Sequence, residues 1–310
     1  MINTSSQKPD RIGAIVVLYF PNQSLLKRLL QSLVHEVDQI FVIDNTPSIA
    51  VDRLTHAWFA AENFNVMYQS LGNNLGIAQA QNIGIKQAIS NHCDHVVFFD
   101  QDSAIPPNMI QELLRYEKLL LDQSIKVGAI GPLFLDEKTG EYSKAIRHGR
   151  LLVNKINVDP NDNEPVLADY LISSGSLIRV ETLKATGFMR EELFIDWVDI
   201  EWGLRANKLG YSHFIIPRAI MRHSIGDDFV TLGHKKINLH NDIRNYYIVR
   251  NACYLLLDPH VDKRWRVNIA FKIPLYIIFY SLTSKSKVNS FIQLLRACSD
   301  AMKGNLGKVL

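Results

Sequence analysis

The chain is poor in cysteine. Cys93, Cys253 and Cys298 are its three, and none stands at metal-ligand spacing from another. That argues against a disulfide-stapled secreted scaffold and against a zinc centre, and it points to buried thiols in a reducing compartment. The opening MINTSSQKPD has neither a basic n-region nor an apolar h-region, so no secretory signal is read and the cytoplasm is expected. Long apolar runs are scarce too. The strongest, IAFKIPLYIIFYSL (269–282), is broken by Lys272 and Pro274. It falls short of the roughly 20 residues that span a bilayer, so a core or interfacial helix is expected. There is no GxGxxG dinucleotide fingerprint, no Walker phosphate loop, no internal repeat and no low-complexity tract.

The rest is ordinary for a globular chain of 310 residues: 47% hydrophobic and 21% charged. Disorder is expected only over the first ten or so residues. The length exceeds that of a usual single domain, and a large α/β domain with an appendage fits it. The formal charge of +3 is unevenly spread. From residue 231 onward 13 Lys and Arg face 4 Asp and Glu, a net of +9, which leaves −6 for the first 230 residues. A basic tail on an acidic body suggests an anionic partner, such as a membrane surface or a phosphorylated substrate. A solvated basic face is the plainer alternative. The division is therefore placed at 1–230, a catalytic domain, and 231–310, a helical extension.

Apolar runs alternate with helical patterns through the first 135 residues. IVVLYF (15–20), IFVID (40–44), NVMYQ (65–69) and HVVFFD (95–100) read as strands, and VGAIGPLFLD (127–136) as extended. Residues 22–37, 51–61, 74–90 and 109–123 read as the helices between them, the first capped by Asn22. This is the pattern of parallel βαβ units with right-handed crossovers, and their ligands bind beyond the carboxyl ends of the strands. Residues 137–166 have loop composition and are expected to fold as a flap. Residues 168–187 read as strand, small-residue turn and helix, 193–210 as ending in a helix, and 211–217 as a strand. Beyond residue 230 the β signal stops, and helices are expected over 240–257 and 288–304.

The polar residues concentrate where the topology rule puts a site. Asp44 and Asn45 end one strand, and Asp100 and Asp102 end another. Two carboxylates one residue apart, on a chain turning out of extended geometry, can face one ligand. Hard oxygen donors suit Mg2+ or Mn2+ together with substrate phosphates. Either acid could instead serve as a helix cap. GNNLGIAQAQNIGI (72–85) runs from a loop into a helix, so its Asn and Gly residues can approach a nucleotide closely or pack the helix tightly. FIDWVDIEW (194–202) sets Asp196, Asp199 and Glu201 among aromatic residues, a setting that raises a carboxylate's proton affinity as a general base requires. One of these acids is expected to face the cleft and Glu201 to pair with Arg205, four residues on. His223, just past a strand, could complete a metal site.

The ordered set IVVLYFPN, VIDN, NNLGIAQAQNIGI, FFDQDS, SSGSLI, FIDWVDIEWGLR and RHSIGD resembles the inverting family 2 glycosyltransferases of GT-A fold. It is most like the bacterial rhamnosyltransferases that build O-antigen and related polysaccharides. HNDIRNYYIVRN resembles the segment that follows their GT-A core. The resemblance implies an α/β fold, a mostly parallel central sheet with flanking helices, plus C-terminal helices. It implies that Asp102 and His223 hold the metal and that Asp44, Asn74, Asn82, Asp100 and Asp102 hold the donor. The general base falls on Asp199 by the Asp-to-Arg spacing of six, with Asp196 its rival and Glu201 and Arg205 in support. Val198 stands where many relatives have Glu, a departure from the pattern. The implied donor is dTDP-rhamnose, with a UDP-hexose or UDP-galactofuranose as alternatives. The implied acceptor is a saccharide or lipid-linked oligosaccharide at the inner face of the membrane. No nucleic-acid partner is expected, and the extension would contact membrane or another subunit. A non-catalytic nucleotide-sugar-binding module would need no ordered Asp199 and His223. A nucleotidylyltransferase would need a glycine-rich basic loop after the first strand, which is absent.

Overall fold

A computed structural model describes residues 10–49, 54–136, 139–149, 153–223, 229–232, 235–238 and 241–309. The chain runs β1 (Ile12–Leu18), α1 (Gln23–Leu33), β2 (Gln39–Asp44), α2 (His56–Ala61), β3 (Met67–Ser70), α3 (Ile77–Ser90), β4 (His95–Asp100) and α4 (Met109–Asp122). It continues through β5 (Val127–Asp136), β6 (Ala145–His148), β7 (Val153–Ile156), β8 (Val166–Ala168), β9 (Leu177–Arg179), α5 (Val180–Thr186), α6 (Val198–Lys208) and β10 (Ser212–His223). It ends with β11 (Phe229–Leu232), β12 (Lys235–Asn238), α7 (Asp242–Leu257), α8 (Lys263–Thr283) and α9 (Lys287–Lys303).

One eight-stranded sheet, ordered β3-β2-β1-β4-β9-β5-β10-β8, organises the molecule. β1 pairs in parallel with β2 and β4, β2 with β3, and β5 with β10; β9 and β8 run antiparallel. Every residue of β1 is buried, as expected of a central parallel strand covered on both faces. Its side chains alternate between two cores. Ala14, Val16 and Leu18 meet the apolar faces of α1 and α4, whereas Ile15 and Val17 meet α3, α5 and α6. Asn22 starts α1 by accepting from the amides of Ser24 and Leu25, and Leu26, Leu29, Leu30 and Leu33 form its buried face. Gly84 lets α3 lie close to the sheet, since a Cβ there would sit 2.5 Å from Ile15 Cγ2.

Several expectations are corrected. β9, three residues long, inserts antiparallel between β4 and β5. The 137–166 segment contains the β6–β7 hairpin and ends where β8 begins, so among its described residues it is more than loop. β11 and β12 pair antiparallel beyond β10, where no strand was read, and the division at residue 230 falls inside β11. The helix expected over 269–282 is present as part of α8, which runs unbroken through Pro274. Both Pro274 and Ala270, whose carbonyl loses the missing donor, lie on its exposed side. A third core joins Phe194, Trp197 and Leu204 to α7, α8 and α9. Within it Cys253 and Cys298, expected as scattered thiols, bring their sulfurs to 3.3 Å.

Candidate active site

The carboxyl edge of the parallel strands carries three of the six acids singled out in the sequence, Asp44, Asp100 and Asp102. Asp44 ends β2 opposite Leu18 of β1 and Ser70 of β3. It is fully buried. Its Oδ1 accepts from the Thr46 amide at 2.9 Å, and the Tyr68 hydroxyl lies 2.8 Å from its Oδ2. Beside it, Asn45 Nδ2 donates to Asn74 Oδ1 (2.9 Å), Leu75 donates its amide to Asn45 Oδ1 (2.7 Å), and Gly76 donates to Asn74 Oδ1 (3.0 Å). Asn74 is thus tied to the strand end and shapes the loop leading into α3. Asn82 does not join it. It is buried, with Nδ2 donating to Met189 O and Glu191 Oε1 and Oδ1 accepting from the Met189 amide. It holds the 189–191 segment in place.

Asp100 ends β4 opposite Val17, and the chain turns at once, the Ser103 amide donating to Asp100 O. The turn leaves Asp100 exposed and Asp102 half-buried, with Gln101 alone between them. Gln101, between them, exchanges two bonds with the Tyr19 backbone, at 2.8 and 3.1 Å, so the turn is fixed to the loop after β1. Arg28 of α1 donates to Asp102 O at 3.2 Å. The Asp102 carboxylate accepts no hydrogen bond among the described residues.

Across the cleft, Asp199 is the second residue of α6. Its Oδ1 accepts from Ile200 N at 2.8 Å and its Oδ2 from Ser173 N at 3.2 Å. It lines a small apolar recess with Phe98, Leu171, Met189 and Trp202. Burial there pushes its carboxyl up from 3.8 to about 6; the amide bonds resist that rise and the Asp196 charge adds to it. The expected division of labour between the α6 acids is present. Glu201, almost fully buried, takes Arg205 in a two-point pair (Nε to Oε1 2.8 Å, Nη2 to Oε2 3.0 Å). Arg205 also donates to the carbonyls of Thr186 and Phe188. Asp196 is held by Arg244 of α7, with Nε at 3.2 Å from both oxygens.

Sequence reasoning passed over the residues that join these parts. In SSGS, Ser174 Oγ lies 2.9 Å from Ser103 Oγ and accepts from the Asp100 amide, while its neighbour Ser173 donates to Asp199. Two consecutive serines therefore link the acidic turn to the Asp199 carboxylate. The turn before α6 is also unusual. Phe194, Asp196 and Trp197 all have positive φ (65°, 61° and 65°). For bulky residues such backbone costs about 1–3 kcal/mol each. α7 holds it: Asn251 Nδ2 lies within 3.1 Å of the carbonyls of Leu193, Ile195 and Asp196, and Trp197 Nε1 donates to Ile248 O. Gly76 (φ 89°) packs on the same turn; a Cβ there would sit 2.6 Å from Phe194 O, and Ile77 donates its amide to that carbonyl. The backbone of His223 ends β10 opposite Asp136, and its side chain lies outside the described residues. Among the described residues no three His, Cys, Asp or Glu side chains converge as a metal cluster.

A mostly parallel sheet with acids along its carboxyl edge and helices closing its far side defines the GT-A class of transferase folds. The chain belongs to Glycosyl transferase family 2, whose pattern matches residues 14–183, and it is a glycosyltransferase. It is 33% identical over 302 residues to dTDP-rhamnosyl transferase RfbF of Shigella flexneri, covering 96% of this chain and 97% of that one. Its fold is similar to S. aureus TarS 1–349, at TM-score 0.57 and 15% identity over 94% of this chain and 80% of that one. It is also similar to GalNAc-T7 crystallised with UDP, GalNAc and Mn2+, at TM-score 0.56 and 14% identity over 89% of this chain and 58% of that one. At these identities the two structures bear on fold alone. No helix among the described residues is long and apolar enough to cross a membrane.

Proposed function

We propose that this glycosyltransferase moves L-rhamnose from dTDP-rhamnose onto an acceptor hydroxyl, with inversion and with Asp199 as general base. The observation that carries the reading is the position of Asp199, a carboxylate of raised proton affinity joined through Ser173 and Ser174 to the Asp100–Asp102 turn. A base of pKa near 6 is ionised at neutral pH yet basic enough to accept a hydroxyl proton. The similarity to RfbF over nearly the whole of both chains supports dTDP-rhamnose as the donor. Buried Asp44, with Asn74 beside it, would read the nucleoside, and Asp100 the donor's ribose or sugar. Asp196 is committed to Arg244 and would orient the turn, while Asn82, Glu201 and Arg205 support it from beneath.

The acidic turn fits a divalent cation. Mg2+ and Mn2+ are commonly held by one or two carboxylates, with phosphates and water as the other ligands, and the Asp102 carboxylate is available. Asp102 would hold the ion, with Asp100 beside it and His223 as a third candidate. Such an ion neutralises charge on a departing nucleoside diphosphate. The acceptor would be a saccharide or lipid-linked oligosaccharide, reached from the cytoplasmic side.

A thermal-shift panel of nucleotide sugars, with and without Mn2+, tests the donor and metal together. Saturation at about 100 times Kd adds roughly 2.7 kcal/mol to stability, so dTDP-rhamnose with Mn2+ should raise Tm more than UDP-hexoses do. Equal shifts for all sugars, or none, would sink the donor assignment. The pH dependence of kcat/KM should show an acid limb with a midpoint near pH 6, because Asp199 must be ionised to accept the proton. A limb centred near pH 4 would place the base elsewhere.

A further inference from the structure

From Val267 to Leu282 helix α8 carries a single charge, Lys272, and apolar residues on every side, and only one side of it is covered. Trp265, Ile269, Ile273 and Tyr280 are buried in the third core. On the opposite side Phe271, Leu275, Ile278 and Leu282 are each more than half exposed. Their spacing of four, three and four places them in one stripe. The few neutral polar side chains of α8 are turned inward: Asn268 and Ser281 are buried, and Asn268 Oδ1 and Ser281 Oγ have no hydrogen-bond partner among the described residues. This inverts the pattern of a helix that faces water. Its neighbour α9 repeats the outward stripe with Val288, Ile292 and Leu295. An exposed apolar surface of this extent on two adjacent helices marks an interaction site.

The charge around the stripes selects the partner. Residues 263–299 contain seven Lys and Arg and no Asp or Glu. Asp262 and Asp300, at the two ends of this span, lie 4.0 and 3.5 Å from Arg264 and Arg296, so two copies meeting through this face would still oppose two net-positive sets. An anionic surface complements it. No helix among the described residues is long and apolar enough to span a bilayer, and α8, about 30 Å long for its 21 residues, suits lying in the interface plane.

We infer that the α8–α9 face docks on an anionic lipid bilayer, inserting its two apolar stripes while Lys263, Arg264, Lys285 and Lys287 meet the headgroups. The inference does not depend on the donor or the base. Its inner side does bear on them: α8 also contributes Trp265, whose ring lies 5.8 Å from that of Tyr170, and Tyr170 neighbours the Asp199 charge. The docked helix would therefore stand between the bilayer and the base.

Co-sedimentation of the full chain with vesicles tests this, using phosphatidylglycerol–phosphatidylethanolamine against pure phosphatidylcholine. Strong partitioning to the anionic vesicles, weakened by salt, is expected. The double variant Phe271→Ser, Leu275→Ser should lower the partition coefficient at least about tenfold, since each residue loses a buried apolar side chain. Lys285→Glu with Lys287→Glu should abolish the preference for anionic lipid. Unchanged circular dichroism and Tm would show that both variants fold. Because these substitutions lie on the outer surface, a second pair, Ile278→Ser with Leu282→Ser, replaces the first if Tm falls. Equal binding to neutral vesicles, no binding, or a sedimentation-velocity dimer that Phe271→Ser dissociates would overturn the inference, the last naming a second copy as the occupant.

Discussion

Asp199→Asn is expected to lower turnover about 10³-fold, in the range attributed to general-base groups, while the chain becomes more stable above pH 6. The two effects share one cause. Burial raises the Asp199 carboxyl from 3.8 to about 6, so the folded chain binds its proton more tightly than the unfolded chain does. The stability this group allows is therefore complete below about pH 4 and is lost as pH rises through 6. Over some two pH units the loss approaches 3 kcal/mol. A neutral amide of the same shape avoids it, but its nitrogen cannot accept from Ser173 N or Ile200 N, which returns about 1 kcal/mol. At pH 8 the variant's Tm should stand about 2–4 °C above wild type, and at pH 4 the difference should vanish. Donor-induced thermal shifts should be unchanged, since Asp44, Asp100 and Asp102 sit on other elements. Near-normal turnover would remove Asp199 as the base. A lowered Tm at pH 8 would show that its charge is stabilised rather than strained.

How much of this was legible in the sequence depends on the range of the interactions. The strands β1, β2 and β4 announce themselves because a buried parallel strand is a continuous apolar run, and Asp44 and Asp100 stand out by ending such runs. Glu201 and Arg205 are one helical turn apart, so their pairing follows from spacing alone. β9 was hidden by its length: three residues carry no period, and only the pairing of Val96 with Ile178 and Val97 with Leu177 makes them a strand. Ser173 and Ser174 gave a weak cue, as small polar residues inside an apolar stretch. Their partners lie up to 74 residues away, so their role as a link could not be read. Asn82 shows the same limit. Its place in an Asn- and Gly-rich helix start suggested a ligand, and its bonds to Met189 and Glu191, 107 and 109 residues downstream, could not be read. Arg244 and Asn251 sit in a segment whose likeness to the family was visible, but their grip on the turn before Asp199 needed coordinates.

Asn251→Ala should cost about 2–4 kcal/mol of stability and lower kcat about 100-fold without weakening donor binding. Asn251 is fully buried on α7, and its side-chain nitrogen is the shared donor for three carbonyls of the turn leading to α6. Each carbonyl left unpaired in the interior costs about 1–3 kcal/mol, and Arg250, which also donates to Leu193 O, offsets part of the loss. The turn it holds contains Phe194, Asp196 and Trp197 in left-handed backbone, a conformation these residues leave when the restraint is removed. Relaxation there moves the start of α6, and with it Asp199, relative to Ser173. A displacement of about 1 Å at a reacting group is enough for a hundredfold loss. The donor's acids are also fastened away from this turn, through Tyr68 and Gln101, and should keep their affinity. The split between kcat and donor Kd is thus the diagnostic. Asn251→Asp, which keeps the shape and the bond from Arg250 Nε but faces three carbonyls with an acceptor, should be worse than alanine on both counts. If donor affinity fell in step with kcat, the helical segment would be supporting the whole core rather than positioning the base.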